Sequence, residues 1–286
     1  MGKSSRIPSK LNSSYRPGIR TAFNKDKERF LCVHFKLNFF AFTMDDSIRA
    51  ALAQVALGNE DGDLSIAIDF GTAYSSVSWI KGTTLDINDI HEIVDWPCAV
   101  YSGSASSRVG EVPSESMYRN GIKKYGYEVH KILGMPGHEQ WHRLTNIKML
   151  LDNSAESLTI RRGNLQIIKD INATRKGTQP EISVFSIIHD YLLFLLDHSK
   201  TQLLKKNIRG KSIYAPGDPI NFTLSIPEKW DEVAKWMMQK ALTLVTEELQ
   251  FGSTKRLFMI SESESASTCM LEMLKIVWCA VSVWTC

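Results

Sequence analysis

The sequence predicts an α/β fold, a mixed sheet with flanking helices, and three stretches predict it. Leu64–Ile80 (LSIAIDFGTAYSSVSWI) reads as a β-hairpin, Glu181–Lys206 carries one apolar helical face, and Ile220–Ile260 runs strand, helix, strand. At 286 residues, 43% hydrophobic and 23% charged, the chain can bury a sizeable core in one large domain or two modest ones.

The net charge of +3 hides an asymmetry. Residues 1–43 carry nine Lys/Arg against Asp26 and Glu28, a net of +7, so the remainder nets −4. That body offers no basic surface for nucleic acid. The five cysteines (Cys32, Cys98, Cys269, Cys279, Cys286) are scattered and form no CxxC pair, which fits a reducing compartment without a disulfide framework or zinc cluster. No apolar run is long enough for a membrane span.

Residues 1–43 are expected to form a basic, solvated extension. Their Arg/Ser-rich, acid-poor character also fits a mitochondrial transit peptide, and the favoured alternative is that Met44 is the natural start. Residues 44–63 form a linker with a short helical segment (Ile48 to Leu57). Leu64 to Ile68 is then an apolar strand, Asp69 and Gly71 break it, and Tyr74 to Ile80 alternates as a half-buried strand.

The hairpin tip, Asp69-Phe70-Gly71-Thr72-Ala73-Tyr74, has the chemistry of a phosphate site. Gly71 lets a ligand approach the backbone, and successive N–H groups of Thr72, Ala73 and Tyr74 can line an anion-binding concavity. Asp69 suits Mg²⁺ held through water. The alternative is an ordinary hairpin with a polar turn.

Glu92–Tyr101 (EIVDWPCAVY) reads as strand, turn at Trp96-Pro97, and strand. His138-Glu139-Gln140-Trp141-His142 matches the H-E-x-x-H zinc-peptidase pattern, which needs both imidazoles on one helix face. Pro136 and Gly137 put His138 at a helix start, and Thr145 rules out the extended version, so surface histidines are the expected outcome. Trp141–Leu151 has helical spacing at Trp141, Leu144, Ile147 and Leu151, which sets Lys148 among apolar neighbours.

Leu158–Ile168 reads as a hairpin around Gly163-Asn164. Glu181–Lys206 is the clearest helix, with Val184, Ile187, Ile188, Tyr191, Leu192, Leu195 and Leu196 on one face and Glu181 in its first turn. Ile220–Ile226 is a strand ending at Pro227. Asp231–Leu249 is a helix with Val233, Trp236, Met237, Ala241, Leu244 and Val245 inward, and Arg256–Ile260 is a buried strand.

These motifs resemble one family. IAIDFGTAYSSV is similar to the first phosphate-binding hairpin of the 70-kilodalton heat-shock chaperones and their actin-like ATPase relatives, with Ala73 in place of the second threonine. Lys148 resembles that family's phosphate-reaching lysine, and INFTLSI-Pro227 its Thr-Val-Pro strand. Ser261-Glu262-Ser263-Glu264-Ser265-Ala266-Ser267 resembles its Asn/Ser-Glu-Pro-x-Ala-Ala-Ala segment, with serines at proline and alanine positions. The resemblance covers roughly Leu64–Leu271 and is closest to divergent, fungal-type members.

The resemblance implies an actin-like ATPase (ribonuclease H-like) first lobe over 64–271, with a peripheral subdomain inserted at 102–172 and an aberrant apolar tail at 272–286. It implies ATP or ADP with Mg²⁺ as ligands, Asp69, Gly71, Thr72, Ala73 and Tyr74 as the binding hairpin with Asp69 toward the metal, and Lys148 and Glu262 in catalytic positions. It further implies protein clients or co-chaperones for a longer form, and a cytoplasmic location unless residues 1–43 are a transit peptide. The family's second Asp-x-Gly-Gly-Gly-Thr motif does not occur in the sequence, so nucleotide binding with impaired hydrolysis is expected. A non-catalytic interaction fragment and, further off, a zinc peptidase are the alternatives.

Overall fold

The computed structural model describes residues 64–81, 90–99, 110–176, 179–205, 207–208, 211–253 and 255–263. The expected N-terminal extension, the 44–63 linker and the 272–286 tail lie outside these residues. A sheet of mixed parallel and antiparallel strands organises the chain. Its first strand, β1 (Leu64–Phe70), lies at the centre, and Leu64, Ile66, Ala67, Ile68 and Phe70 are buried. A near-continuous apolar run is what a strand covered on both faces requires.

β2 (Tyr74–Lys81) returns antiparallel to β1, and its outer side takes the short strands β3 (His91–Glu92) and β4 (Glu111–Pro113). A second antiparallel sheet follows: β5 (Ser116–Arg119) lies between β6 (Ile122–Tyr125) and β7 (His142–Leu144), with α1 (Tyr127–Leu133) in the connection. Next come α2 (Leu158–Arg175), α3 (Val184–Lys205) and a small hairpin of β8 (Asn207–Ile208) and β9 (Lys211–Ser212). β10 (Ile220–Ile226) then pairs parallel with β1, α4 (Glu232–Glu248) crosses over, and β11 (Lys255–Ser261) pairs parallel with β10. The order across the sheet is β11-β10-β1-β2-β3.

The even-numbered apolar residues of β1 join the core beneath α3 and α4. Phe70 meets Tyr191 of α3 at 5.6 Å between ring centroids, and Phe222 of β10 meets Phe251 at 5.5 Å. α3 begins later than its spacing suggested. Ser183 and Ser186 exchange hydrogen bonds, Ser186 N–H to Ser183 Oγ (3.0 Å) and Ser183 N–H to Ser186 Oγ (2.9 Å), so the reciprocal cap fixes the start and Glu181 precedes the helix.

Five local expectations are corrected. Leu158–Ile168 is not a hairpin but the first part of α2: Asn164, Ile168 and Ile171 form its buried stripe, and a Cβ at Gly163 would meet nothing within 4 Å, so no turn requires that glycine. Trp141–Leu151 is not one helix but β7 followed by a 3₁₀ turn (Ile147–Leu150), because Asn146 adopts a left-handed conformation (φ 52°) between them. On α4 the buried stripe is Ala234, Met238, Ala241, Leu242 and Val245, leaving Val233 and Trp236 exposed. β11 is only partly buried, with Phe258 exposed, because it is the outer strand. In Glu92–Tyr101 the strand is confined to its start, and a turn follows at Pro97. Val100 and Tyr101 lie outside the described residues.

Leu224 of β10 is fully buried in the hydrophobic core. Leu224→Ala should lower stability by about 2–5 kcal/mol in urea unfolding, the usual result of opening a core cavity. A second prediction concerns His198 of α3, whose ring is tilted against Trp96 (4.7 Å between centroids) and whose Nε2 is hydrogen-bonded to the Val94 carbonyl (3.1 Å). Burial holds its imidazole below the ordinary value of 6.5, against the opposing pull of that hydrogen bond. The unfolded chain therefore takes up the proton first as pH falls. Stability should decline below about pH 6.5, and pH-dependent melts of His198→Gln should show a shallower decline.

Candidate functional site

The parallel register fixes what meets at the carboxyl ends of the strands. Asp69, Ser225 and Ile260 stand side by side on β1, β10 and β11, and Glu262 follows just after β11. In open α/β sheets this edge is where ligands bind, since loops and helix starts there surround a crevice. Asp69 Oδ1 accepts a hydrogen bond from Ser225 Oγ at 3.0 Å. No cation pairs with Asp69 among the described residues.

Past Asp69 the chain turns tightly, and Gly71 is required for the turn: a Cβ there would stand 2.1 Å from the Tyr74 carbonyl oxygen. The tip is held from below by Ser114, which is fully buried. Its hydroxyl donates to the Gly71 carbonyl (2.8 Å) and bonds Ser75 Oγ (2.8 Å), while its N–H donates to the Ala73 carbonyl (2.9 Å). Tyr191 Oη fixes the adjoining strand by donating to the Pro113 carbonyl at 2.8 Å. Burial pushes the Tyr191 phenol well up, so it stays a donor.

Because a trans peptide points its C=O and N–H in opposite directions, tying the Gly71 carbonyl to Ser114 turns the Thr72 N–H away from it. The Thr72 and Ala73 N–H groups carry no hydrogen bond among the described residues, and Ala73 is exposed. The Thr72 N–H thus points away from Ser114 at the end of a buried strand, suited to an anion.

Lys148 reaches the same edge from the 3₁₀ turn. α2 sets that turn in place, since Asn164 Nδ2 donates to the Thr145 carbonyl at 2.8 Å. The Lys148 side chain is 5% exposed, yet its Nζ lies 2.5 Å from Glu262 Oε1 and 5.7 Å from the Trp230 ring centroid. The ammonium is therefore shielded from water, while Glu262, 51% exposed, faces solvent. A buried cation needs a partner, and a carboxylate or phosphate oxygen satisfies that need equally well.

The structure thus brings Lys148 to Glu262 across 114 residues of sequence and gathers Asp69, Ser225 and Glu262 on one sheet edge. It does not give the H-E-x-x-H stretch a common helix face. His138 lies in a short 3₁₀ turn with Nδ1 bonded to the Met135 carbonyl (3.1 Å), and His142 lies on β7 opposite Tyr118. Among the described residues no cluster of three or more His, Cys, Asp or Glu could hold a metal. The sequence reading missed Ser114, Ser225 and Trp230. Serines in a Ser-rich chain carry no spacing signal, and only the pairing of β2 with β4 and β1 with β10 reveals the first two.

No protein-family model matches the sequence, and no curated protein matches it. Among solved structures, the chain is similar to a non-polymerising mutant of MamK bound to AMPPNP, at 10% identity and a TM-score of 0.32. The match covers 70% of this chain and 41% of that one, so the chain spans less than half of that protein's length.

Ser114→Ala removes the hydroxyl that holds the tip and leaves the Gly71 carbonyl short of a buried partner. Stability should fall by about 1–3 kcal/mol, and amide exchange at Thr72 and Ala73 should quicken more than in the core strands.

Proposed function

We propose that this chain binds ATP or ADP with Mg²⁺ at the hairpin tip, as the first lobe of a chaperone-type, actin-like nucleotide-binding domain spanning 64–271. The observation that carries the reading is the meeting of Lys148 with Glu262 at the strand ends where Asp69 and the tip also lie. Each of these residues was singled out separately in the sequence, and an ordinary hairpin gives no reason for a buried lysine to arrive there.

The roles follow from chemistry. N–H groups at Thr72 and Ala73 cradle phosphate oxygens, and Gly71 keeps the backbone close to them. Lys148 adds a cation in a site partly withdrawn from water, where a charge contact is worth more than on the surface. Asp69 presents a carboxylate held by Ser225 and unpaired with any described cation, which fits a hydrated Mg²⁺. When bound, Mg²⁺ neutralises phosphate charge. Glu262, half in solvent, is the group to orient a water once Lys148 turns to phosphate.

Calorimetric titration with Mg²⁺–ADP and Mg²⁺–ATP tests the reading. The wild-type chain should bind, and Asp69→Ala and Lys148→Met should each weaken binding about tenfold or more, the loss of one charge contact of roughly 1.4 kcal/mol. Circular dichroism should show both variants folded. Absence of binding by the wild type, or binding indifferent to both substitutions, would overturn the proposal.

A further inference from the structure

Lys148 and Glu262 form an unequal pair, because only one of the two can leave. The Lys148 side chain is nearly buried, and its turn is anchored. Its carbonyl accepts the Leu151 N–H (3.1 Å), Ile147 and Leu150 on either side are buried, and the buried Trp230 ring lies 5.7 Å from the ammonium. Bringing this cation to solvent would pull the turn out of the core. Among the described residues Glu262 is its one anionic partner.

Glu262 is under no such restraint. The chain beside it is held separately, since Ser263 Oγ donates to Glu228 Oε2 at 2.7 Å. Rotation about the Glu262 side-chain bonds alone returns its half-exposed carboxylate to water, where an anion is well solvated. The ammonium left behind has no such refuge, so whatever displaces Glu262 must bring an anionic oxygen of its own. While the pair is closed its charges cancel, and the edge still carries the Asp69 carboxylate, which repels an anion. A phosphate arriving from solution therefore finds the cation already taken.

We propose that Glu262 is an internal competitor for phosphate. In the empty site its carboxylate occupies the place on Lys148 that a phosphate oxygen takes, and bound phosphate swings it out to solvent. The contact is autoinhibitory, and it rests on the nucleotide reading for the molecule to which the phosphate belongs. Its consequence runs against the usual effect of removing a residue beside a ligand: neutralising Glu262 tightens anion binding.

Thermal melts of the full chain in metal-free pyrophosphate, with chloride holding the ionic strength constant, are the test. In chloride alone Glu262→Gln should melt below the wild type, because its buried ammonium lacks an anion. Pyrophosphate should raise the melt of Glu262→Gln at concentrations about tenfold or more below those the wild type needs. The double variant Lys148→Met with Glu262→Gln should not respond. Independently of any variant, the carboxyl carbon resonance of Glu262 in the wild type should shift as pyrophosphate is added. Equal sensitivity of Glu262→Gln and wild type, a response that survives in the double variant, or a Glu262 resonance that ignores bound pyrophosphate would overturn the proposal. Pyrophosphate has no base or sugar and here no metal, so the two readings can fail separately. Exchange on Lys148 without Mg²⁺–ADP binding overturns the nucleotide reading alone, and Mg²⁺–ADP binding without exchange overturns this one alone.

Discussion

The parallel pairing of β1 with β10, and of β10 with β11, is the constraint on which the other features depend. A parallel pair aligns strand ends, so Asp69, Ser225 and Ile260 fall in a row, about 5 Å from strand to strand. The crossover through α4 makes this possible, since parallel neighbours need a long connection. α4 in turn is fixed by Asp231, whose side chain accepts the Ala234 N–H at 2.8 Å. Had β10 run antiparallel, the polar ends of these strands would be divided between two edges.

On that edge, two buried polar contacts replace what water would otherwise supply. Ser114 answers the carbonyls of the tight tip, so that turn keeps its conformation without exposing its underside. Glu262 answers the Lys148 ammonium. The second arrangement differs in kind, because its carboxylate is half in solvent while its lysine is buried. Removing a surface partner is usually cheap, but here it would strand a desolvated charge. The lysine is therefore committed to an anion, whether carboxylate or phosphate.

The elements that sequence made legible are those whose burial is one-sided and regular. β1, β2 and β10 follow from apolar runs or spacing within a residue or two, and α3 within three at its start. Failure came where local signals compete. Gly163-Asn164 looks like a turn, but Asn164 faces inward from a helix to hold the Thr145 carbonyl. Asn146 has no special spacing, yet its left-handed backbone divides an apparently helical stretch and aims Lys148. On α4 the true stripe lies one residue beyond the expected one, because Val233 and Trp236 are apolar but not covered. Of the candidate site, the tip and Glu262 were readable as motifs, and Lys148 from its order in the chain. Ser114 and Ser225 were not readable, since their partners come from strand pairing alone.

Whether the Thr72 and Ala73 N–H groups receive phosphate is read most directly from backbone amide resonances. In an NMR titration with Mg²⁺–ADP, the Thr72 and Ala73 amide shifts should move together, saturably, while those of distant α2 stay still. Saturable binding that leaves both amides unmoved, or shifts centred on His138 and His142, would contradict phosphate binding at the tip.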